Sequence, residues 1–145
     1  MRIAAASPVD ITNIRDLLAG AGLPFDDLVD SGKTLFLIAR DDDRVIGAIG
    51  LEVYVKSGLL RSLVVNADQR KHGLGAQLTL NLERLAKIQG VECLYLLTTT
   101  AEKFFATHGY HRFNRKCVPQ DIAATTEFRL LCPSTAVCMC KQINE

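Results

Sequence analysis

Apolar positions along the chain switch repeatedly between the two spacings that mark strands and helices. Residues 2–6 read as a short strand, and Pro8 stands where proline suits the first turn of a helix. Ile11, Ile14, Leu17, Leu18 and Ala21 then fall at helical spacing, with Gly20 and Gly22 at the end, which predicts an amphipathic first helix. Residues 24–30 predict a short second helix. Three strands follow at 34–40, 44–54 and 58–65. The breaks between them, Asp41-Asp42-Asp43 and Lys56-Ser57-Gly58, are short enough for hairpin turns and predict an antiparallel meander. Gly47 and Gly50 inside the middle strand predict a bulge or a close backbone approach.

The second half changes rhythm. Leu74, Leu78, Leu82, Leu85 and Ala86 make one apolar stripe opposed by Gln77, Asn81, Arg84 and Lys87, so residues 75–89 predict a long amphipathic helix closed by Gly90. Residues 93–98 are apolar without alternation, as in a central strand covered on both faces. The helix before that strand supplies a crossover, so a parallel neighbour is expected. Residues 101–108 predict another helix, with Thr99 or Thr100 as N-cap and Gly109 as its stop. A strand at 110–114, a helix at 119–126 and a last strand at 136–143 complete a single α+β domain over residues 1–145.

Composition adds exclusions. The 145 residues are 48% hydrophobic and 23% charged, which fits one ordinary globular core. With a net charge of +1 and no block of like charges, neither a nucleic-acid footprint nor a polybasic membrane anchor is present. Asp41-Asp42-Asp43 reads as a solvated turn rather than a metal site. Met1-Arg2 leads straight into a strand pattern without the apolar stretch of a secretory signal. Five cysteines, Cys93, Cys117, Cys132, Cys138 and Cys140, form no Cys-x-x-Cys pair. Both observations favour a cytoplasmic protein with reduced thiols.

The chemistry concentrates in Arg70-Lys71-His72-Gly73-Leu74-Gly75-Ala76, between a strand and the long helix. Gly73 and Gly75 let backbone N–H groups converge on an anion where the helix dipole is positive. A Walker loop would need a lysine and a hydroxyl after its last glycine, and a dinucleotide loop would need a third glycine; neither is present. In this setting Arg70-x-x-Gly73-x-Gly75 resembles the acetyl-coenzyme A loop of the GCN5-related N-acetyltransferase (GNAT) family. The stretch from Ala101 through Phe104-Phe105 to Gly109-Tyr110 is similar to that family's second signature.

The resemblance implies an α+β GNAT fold: a central, mixed but mostly antiparallel sheet flanked by helices and splayed at its fourth and fifth strands, matching the seven predicted strands. It implies acetyl-coenzyme A as cofactor and direct transfer to a small-molecule amine in a ternary complex. Nucleic acid and membrane are not implied, and a homodimer is left open. On the family's pattern the pantetheine arm would lie along the backbone of Leu63, Val64 and Val65. The phosphates would lie on Arg70, Lys71, His72, Gly73, Leu74, Gly75 and Ala76, with Thr98, Phe104 and Phe105 beside the cofactor.

The acceptor side is less determined. Alternation that turns Ile49 and Leu51 to one face turns Glu52 and Tyr54 to the other, which makes Glu52 a candidate general base. Tyr54 and Ser62 are candidates for the same pocket, and Arg61 is a candidate receptor for an acceptor carboxylate. Phe105 occupies the position where the family often has a tyrosine that protonates the departing thiolate, and phenylalanine has no proton to give. Water or Tyr110 would then serve, or the protein would be a non-catalytic acetyl-coenzyme A-binding or arsenical-sensing module.

Leu59-Leu60-Arg61-Ser62-Leu63, residues 94–100, Thr126-Glu127-Phe128 and the cysteine-rich 131–141 resemble the acetyltransferase-like branch found with bacterial arsenic-resistance genes. That branch implies an arsenical context but no assigned acceptor; related enzymes that acetylate glutamate-like amino acids, including phosphinothricin and an arsenic-containing analogue, offer the nearest acceptor class. Cys138 and Cys140 share a strand face about 6.5–7 Å apart and would need Cys132 or Cys117 to complete a soft-ion site. Val137 and Met139 mark the segment as core instead, so no metal is assigned.

Overall fold

In the computed structural model, which describes residues 2–23, 25, 34–69, 73–131 and 133–143, alternating apolar residues assemble a seven-stranded sheet in the order β1-β2-β3-β4-β5-β7-β6. The strands are β1 (Arg2–Ala5), β2 (Thr34–Asp41), β3 (Arg44–Tyr54), β4 (Ser57–Val65), β5 (Cys93–Thr98), β6 (His111–Arg112) and β7 (Val137–Gln142). Every pairing is antiparallel except β4 with β5. The helices are α1 (Ile11–Gly20), α2 (Leu74–Ile88), α3 (Glu102–Thr107) and α4 (Gln120–Ala123). The expected mixed sheet, meander and parallel crossover are all present.

The apolar stripe of α2 explains one layer. Leu74, Leu78, Leu82 and Ala86 pack on Ile46, Ile49, Leu51, Leu60, Leu94 and Leu96. Each such buried leucine or isoleucine stabilises the fold by roughly 1.5–3 kcal/mol relative to exposure. On the opposite face Ile14 and Leu18 of α1 cover Phe36, Ile38 and Ala48, while Val118, Ile122 and Phe128 cover Leu59, Tyr95, Leu97 and Cys138. The two glycines of β3 lie where the backbone is approached closely. A Cβ at Gly50 would stand 2.9 Å from the Phe36 ring, and one at Gly47 would stand 3.1 Å from Leu78.

Two expectations are corrected. The helix at 119–126 is only α4, after which Glu127–Leu131 forms a π-helical turn. Thr125 separates them: its hydroxyl donates to the Ile122 carbonyl at 2.7 Å and accepts from the Phe128 N–H at 3.3 Å, so the backbone is satisfied without continuing the helix. Tyr110 belongs to the end of α3 rather than to a strand. Gly109 takes φ +94°, and the Tyr110 N–H then donates back to the Phe105 carbonyl at 3.0 Å, the geometry of a glycine-terminated helix. The short helix expected at 24–30 falls, apart from Phe25, outside the described residues.

Asp10 ties the entry of α1 to the sheet. Its carboxylate accepts the Ser7 N–H at 2.9 Å and the Ser7 hydroxyl at 3.1 Å, and it pairs with Arg40 of β2. The Ser7 backbone bond, with Arg40 in support, holds the Asp10 carboxyl below its ordinary value near 3.8. A depressed carboxylate contributes stability above its unfolded pKa, and that stability is lost as pH falls through the folded value. Asp10→Asn, which removes the charge that the Ser7 N–H and Arg40 bind, is therefore expected to cost about 0.5–1.5 kcal/mol at neutral pH. In urea titrations the gap to wild type should close below about pH 4.

Candidate functional site

Strands β4 and β5 are parallel but pair at only three positions, Ser57 with Cys93, Gly58 with Leu94 and Leu59 with Tyr95. Both strands continue, β4 to Val65 and β5 to Thr98, so beyond Leu59 their facing edges run apart. The cause lies in β4. Ala48 pairs with Val64 and Gly50 with Arg61, which leaves Ile49 facing two residues, Ser62 and Leu63. That bulge, with Ser62 at φ +60°, bends the strand away from its parallel neighbour. A non-glycine residue in the left-handed region costs on the order of 1–3 kcal/mol and persists where its surroundings fix it.

The gap opens into a cavity of about 650 Å³, within the usual range for small-molecule sites. Leu63, Val64 and Val65 form one wall, and Leu96, Leu97, Thr98 and Phe105 form another. Arg61, Ser62, Thr99, Thr100, Glu127 and Phe25 complete much of the rest. Sequence reasoning therefore placed Leu63, Val64, Val65, Thr98, Phe105, Arg61 and Ser62 on one cavity. Phe104 does not line it; its ring stacks edge-on against Phe105 and lies against the Gly75 position.

Gly73, Leu74, Gly75 and Ala76 begin α2. Gly73 adopts φ +76°, which a side chain would resist. The first bond into the helix is donated by Gln77 to the Gly73 carbonyl at 3.1 Å. The N–H groups of Leu74, Gly75 and Ala76 precede it at the positive end of the dipole. Arg70, Lys71 and His72 lie outside the described residues.

One guanidinium organises the end of the cavity beside Ser62 and Glu127. Arg61 has a fully buried side chain. Its Nη1 donates to Glu52 Oε2 at 2.9 Å, while Nε donates to the Ser62 hydroxyl at 3.0 Å and stands 3.1 Å from Glu127 Oε2. The Tyr54 hydroxyl donates to the other oxygen of Glu52. Burial first, and Glu52 second, push that phenol well above its ordinary pKa. Glu52 and Tyr54 do share a face, yet neither is on the cavity wall, because Arg61 lies between them and it. Glu127 is the carboxylate that reaches the wall among the described residues. Sequence reasoning missed it, since its burial comes from the π-helical turn, which no periodicity announces.

Residues 32–112, more than half of the chain, match the family model described as "Acetyltransferase (GNAT) domain". The chain belongs to the GNAT acetyltransferase family. Solved structures agree on the fold of this GNAT domain. N-acetylglutamate synthase from Neisseria gonorrhoeae, complexed with coenzyme A and L-arginine, superposes at TM-score 0.80 with 18% identity; 99% of this chain is covered but only 33% of that one, so this domain spans about a third of the synthase. Rv2747 from Mycobacterium tuberculosis, also solved with coenzyme A, gives 0.80 and 19%, covering 98% and 99% of the two chains. Tetrahymena GCN5 gives 0.80 and 16%, covering 99% and 96%. A search of curated proteins returns no match to this sequence.

In this GNAT domain Tyr110 turns away from the cavity. Its hydroxyl donates to Glu83 of α2 at 2.9 Å, and Lys141 of β7 reaches the same carboxylate at 3.0 and 3.1 Å. Burial first, then Glu83, raise the phenol far above its usual pKa, which makes it a weaker acid. The thiols of Cys138 and Cys140 are likewise pushed up to about 11 by burial, as core side chains. Among the described residues no group of three His, Cys, Asp or Glu could hold a metal ion, and no helix is long and apolar enough to cross a membrane. Cys132 lies outside the described residues.

Tyr110→Phe tests the placement. It should lower stability by about 0.5–1.5 kcal/mol, the net worth of one hydrogen bond. Turnover should stay within about twofold of wild type. A loss of about a hundredfold or more in kcat, measured on the folded variant, would put Tyr110 back among the proton donors.

Proposed function

We propose that this domain transfers an acetyl group from acetyl-coenzyme A to the amine of a small molecule, directly and in a ternary complex, in the cytoplasm. The observation that carries the reading is the parting of β4 and β5 over a cavity whose wall is the strand backbone at Leu63, Val64 and Val65. When bound, the thioester supplies an activated acyl group. The chain would hold the pantetheine arm along β4 and the phosphates at the start of α2, with Arg70, Lys71 and His72 in support. A main-chain N–H at Val64 or Val65 would receive the developing negative charge on the carbonyl oxygen.

The amine must reach the carbonyl without its extra proton, and the departing sulfur must gain one. Phe105 on the wall has no proton to donate, and Tyr110 is engaged by Glu83, so solvent protonates the thiolate in this reading. Among the described residues no cysteine lines the cavity, so no acetyl-cysteine intermediate is invoked. The resemblance to the arsenic-resistance branch supports an arsenical or phosphinic amino acid as one acceptor class. A second reading, a binding module without turnover, is favoured by Phe105 alone.

Coenzyme A release measured with a thiol reagent decides between them. Acetyl-coenzyme A is offered with aliphatic and aromatic amines, polyamines, amino acids and arsenical amino acids. Amine-dependent release is expected with at least one class. Saturable acetyl-coenzyme A binding without release across the panel would support the module, and absence of binding at millimolar concentration would remove both readings.

A further inference from the structure

Arg61 looked like a receptor for a substrate carboxylate, but its surroundings oppose that role. Its side chain is fully buried, its Nη1 donates to Glu52, and its Nε faces Glu127 and the Ser62 hydroxyl. A guanidinium that already bridges two carboxylates offers a third little, and the approaching group would be repelled by both acids at close range. Low dielectric strengthens that repulsion. The same arrangement attracts a cation. Glu127 reaches the cavity wall from the π-helical turn, its side chain almost wholly withdrawn from bulk water.

Among the described residues, apolar side chains stand beside the hydroxyls of Ser62, Thr99 and Thr100 on this cavity wall. Leu60 and Leu63 of β4, Leu23 and Phe25 beyond α1, and Pro133 line the same cavity as Glu127. A carboxylate against such walls matches a primary ammonium on an apolar body. Resting on the acetyl-transfer reading, we propose that Glu127 receives the ammonium group of the acceptor and that Arg61, held by Glu52, is a positioning residue. The acceptors are then hydrophobic primary amines that carry no carboxylate beside the amine, in place of the amino-acid class that the resemblance supports. In the reaction one proton leaves the ammonium for the Glu127 carboxylate. The new C–N bond forms as the C–S bond breaks, the thiolate takes a proton from water, and Glu127 and the amide nitrogen return their surplus protons to solvent.

Phenethylamine and phenylalanine differ by one carboxylate and so probe the site without any mutation. Titrated by calorimetry into the protein saturated with coenzyme A, phenethylamine should bind at least about ten times more tightly. In the coenzyme A release assay kcat/KM should follow the same order. Glu127→Gln keeps the side chain's shape but can neither pair with the ammonium nor take its proton. It should abolish the binding preference and lower kcat/KM for phenethylamine by about a hundredfold or more, with acetyl-coenzyme A affinity retained; the variant should stay folded but melt lower, because the buried Arg61 guanidinium loses one carboxylate.

Equal or tighter binding of phenylalanine by wild type would overturn the proposal. So would a folded Glu127→Gln protein whose kcat/KM stays within about twofold. In either case release with amino acids would leave the acetyl-transfer reading standing. Release with neither compound class would remove that reading and this proposal together.

Discussion

A parallel ladder of three residue pairs holds the two halves of the sheet together. It joins the β1–β4 meander to the β5-β7-β6 half, and everything proposed for the site depends on its stopping at Leu59. A longer ladder would carry the β4–β5 pairing past Leu59 and close the cavity. The ladder is closely packed where it exists: a Cβ at Gly58 would stand 2.9 Å from Leu94 and 3.1 Å from Val91. Past it, the extra residue at Ser62 turns β4 outward. The stabilising layer of α2 spans both strands on one face, which lets the gap on their edges persist at no loss of core.

The ion cluster at Arg61 is a second consequence of that bend. Removing one guanidinium and two carboxylates from water costs several kcal/mol per ion, and the mutual attraction at best offsets it. Stability therefore comes from the apolar layers, not from this cluster. What the cluster does is position. Glu52 is on β3, Arg61 on β4 and Glu127 on the segment between α4 and β7, so the β3–β4 hairpin and a segment far along the chain are fixed to each other at one end of the cavity. The polar pair Glu83–Lys141, with Tyr110, plays the corresponding part on the opposite face, joining α2 to β7 and to the end of α3.

Much of this was legible from local pattern. The strand meander, the α2 stripe and the crossover follow from apolar periodicity, and the Gly73 turn follows from the need for a positive φ. These features placed the cavity wall at Leu63, Val64, Val65 and Thr98. The acceptor side was not legible in the same way. Alternation assigned Glu52 and Tyr54 their correct face, but periodicity carries no information on what covers a face, here the Arg61 side chain. Glu127 was invisible because a π-helical turn four residues after a short helix has no spacing signature, and its burial is a tertiary effect. Tyr110 was misplaced because Gly109 can end a helix and also precede a strand, and only the bond back to Phe105 decides between them.

The central claim is that the backbone exposed by the parting of β4 and β5 binds the cofactor, so side-chain replacement is a poor probe of it. Amide hydrogen exchange reads the backbone itself. With acetyl-coenzyme A added, the amides from Ser62 to Val65 and those of Leu74, Gly75 and Ala76 should slow together, while β1 and β2 stay unchanged. Saturable binding that leaves both stretches exchanging at their free rates would contradict the account.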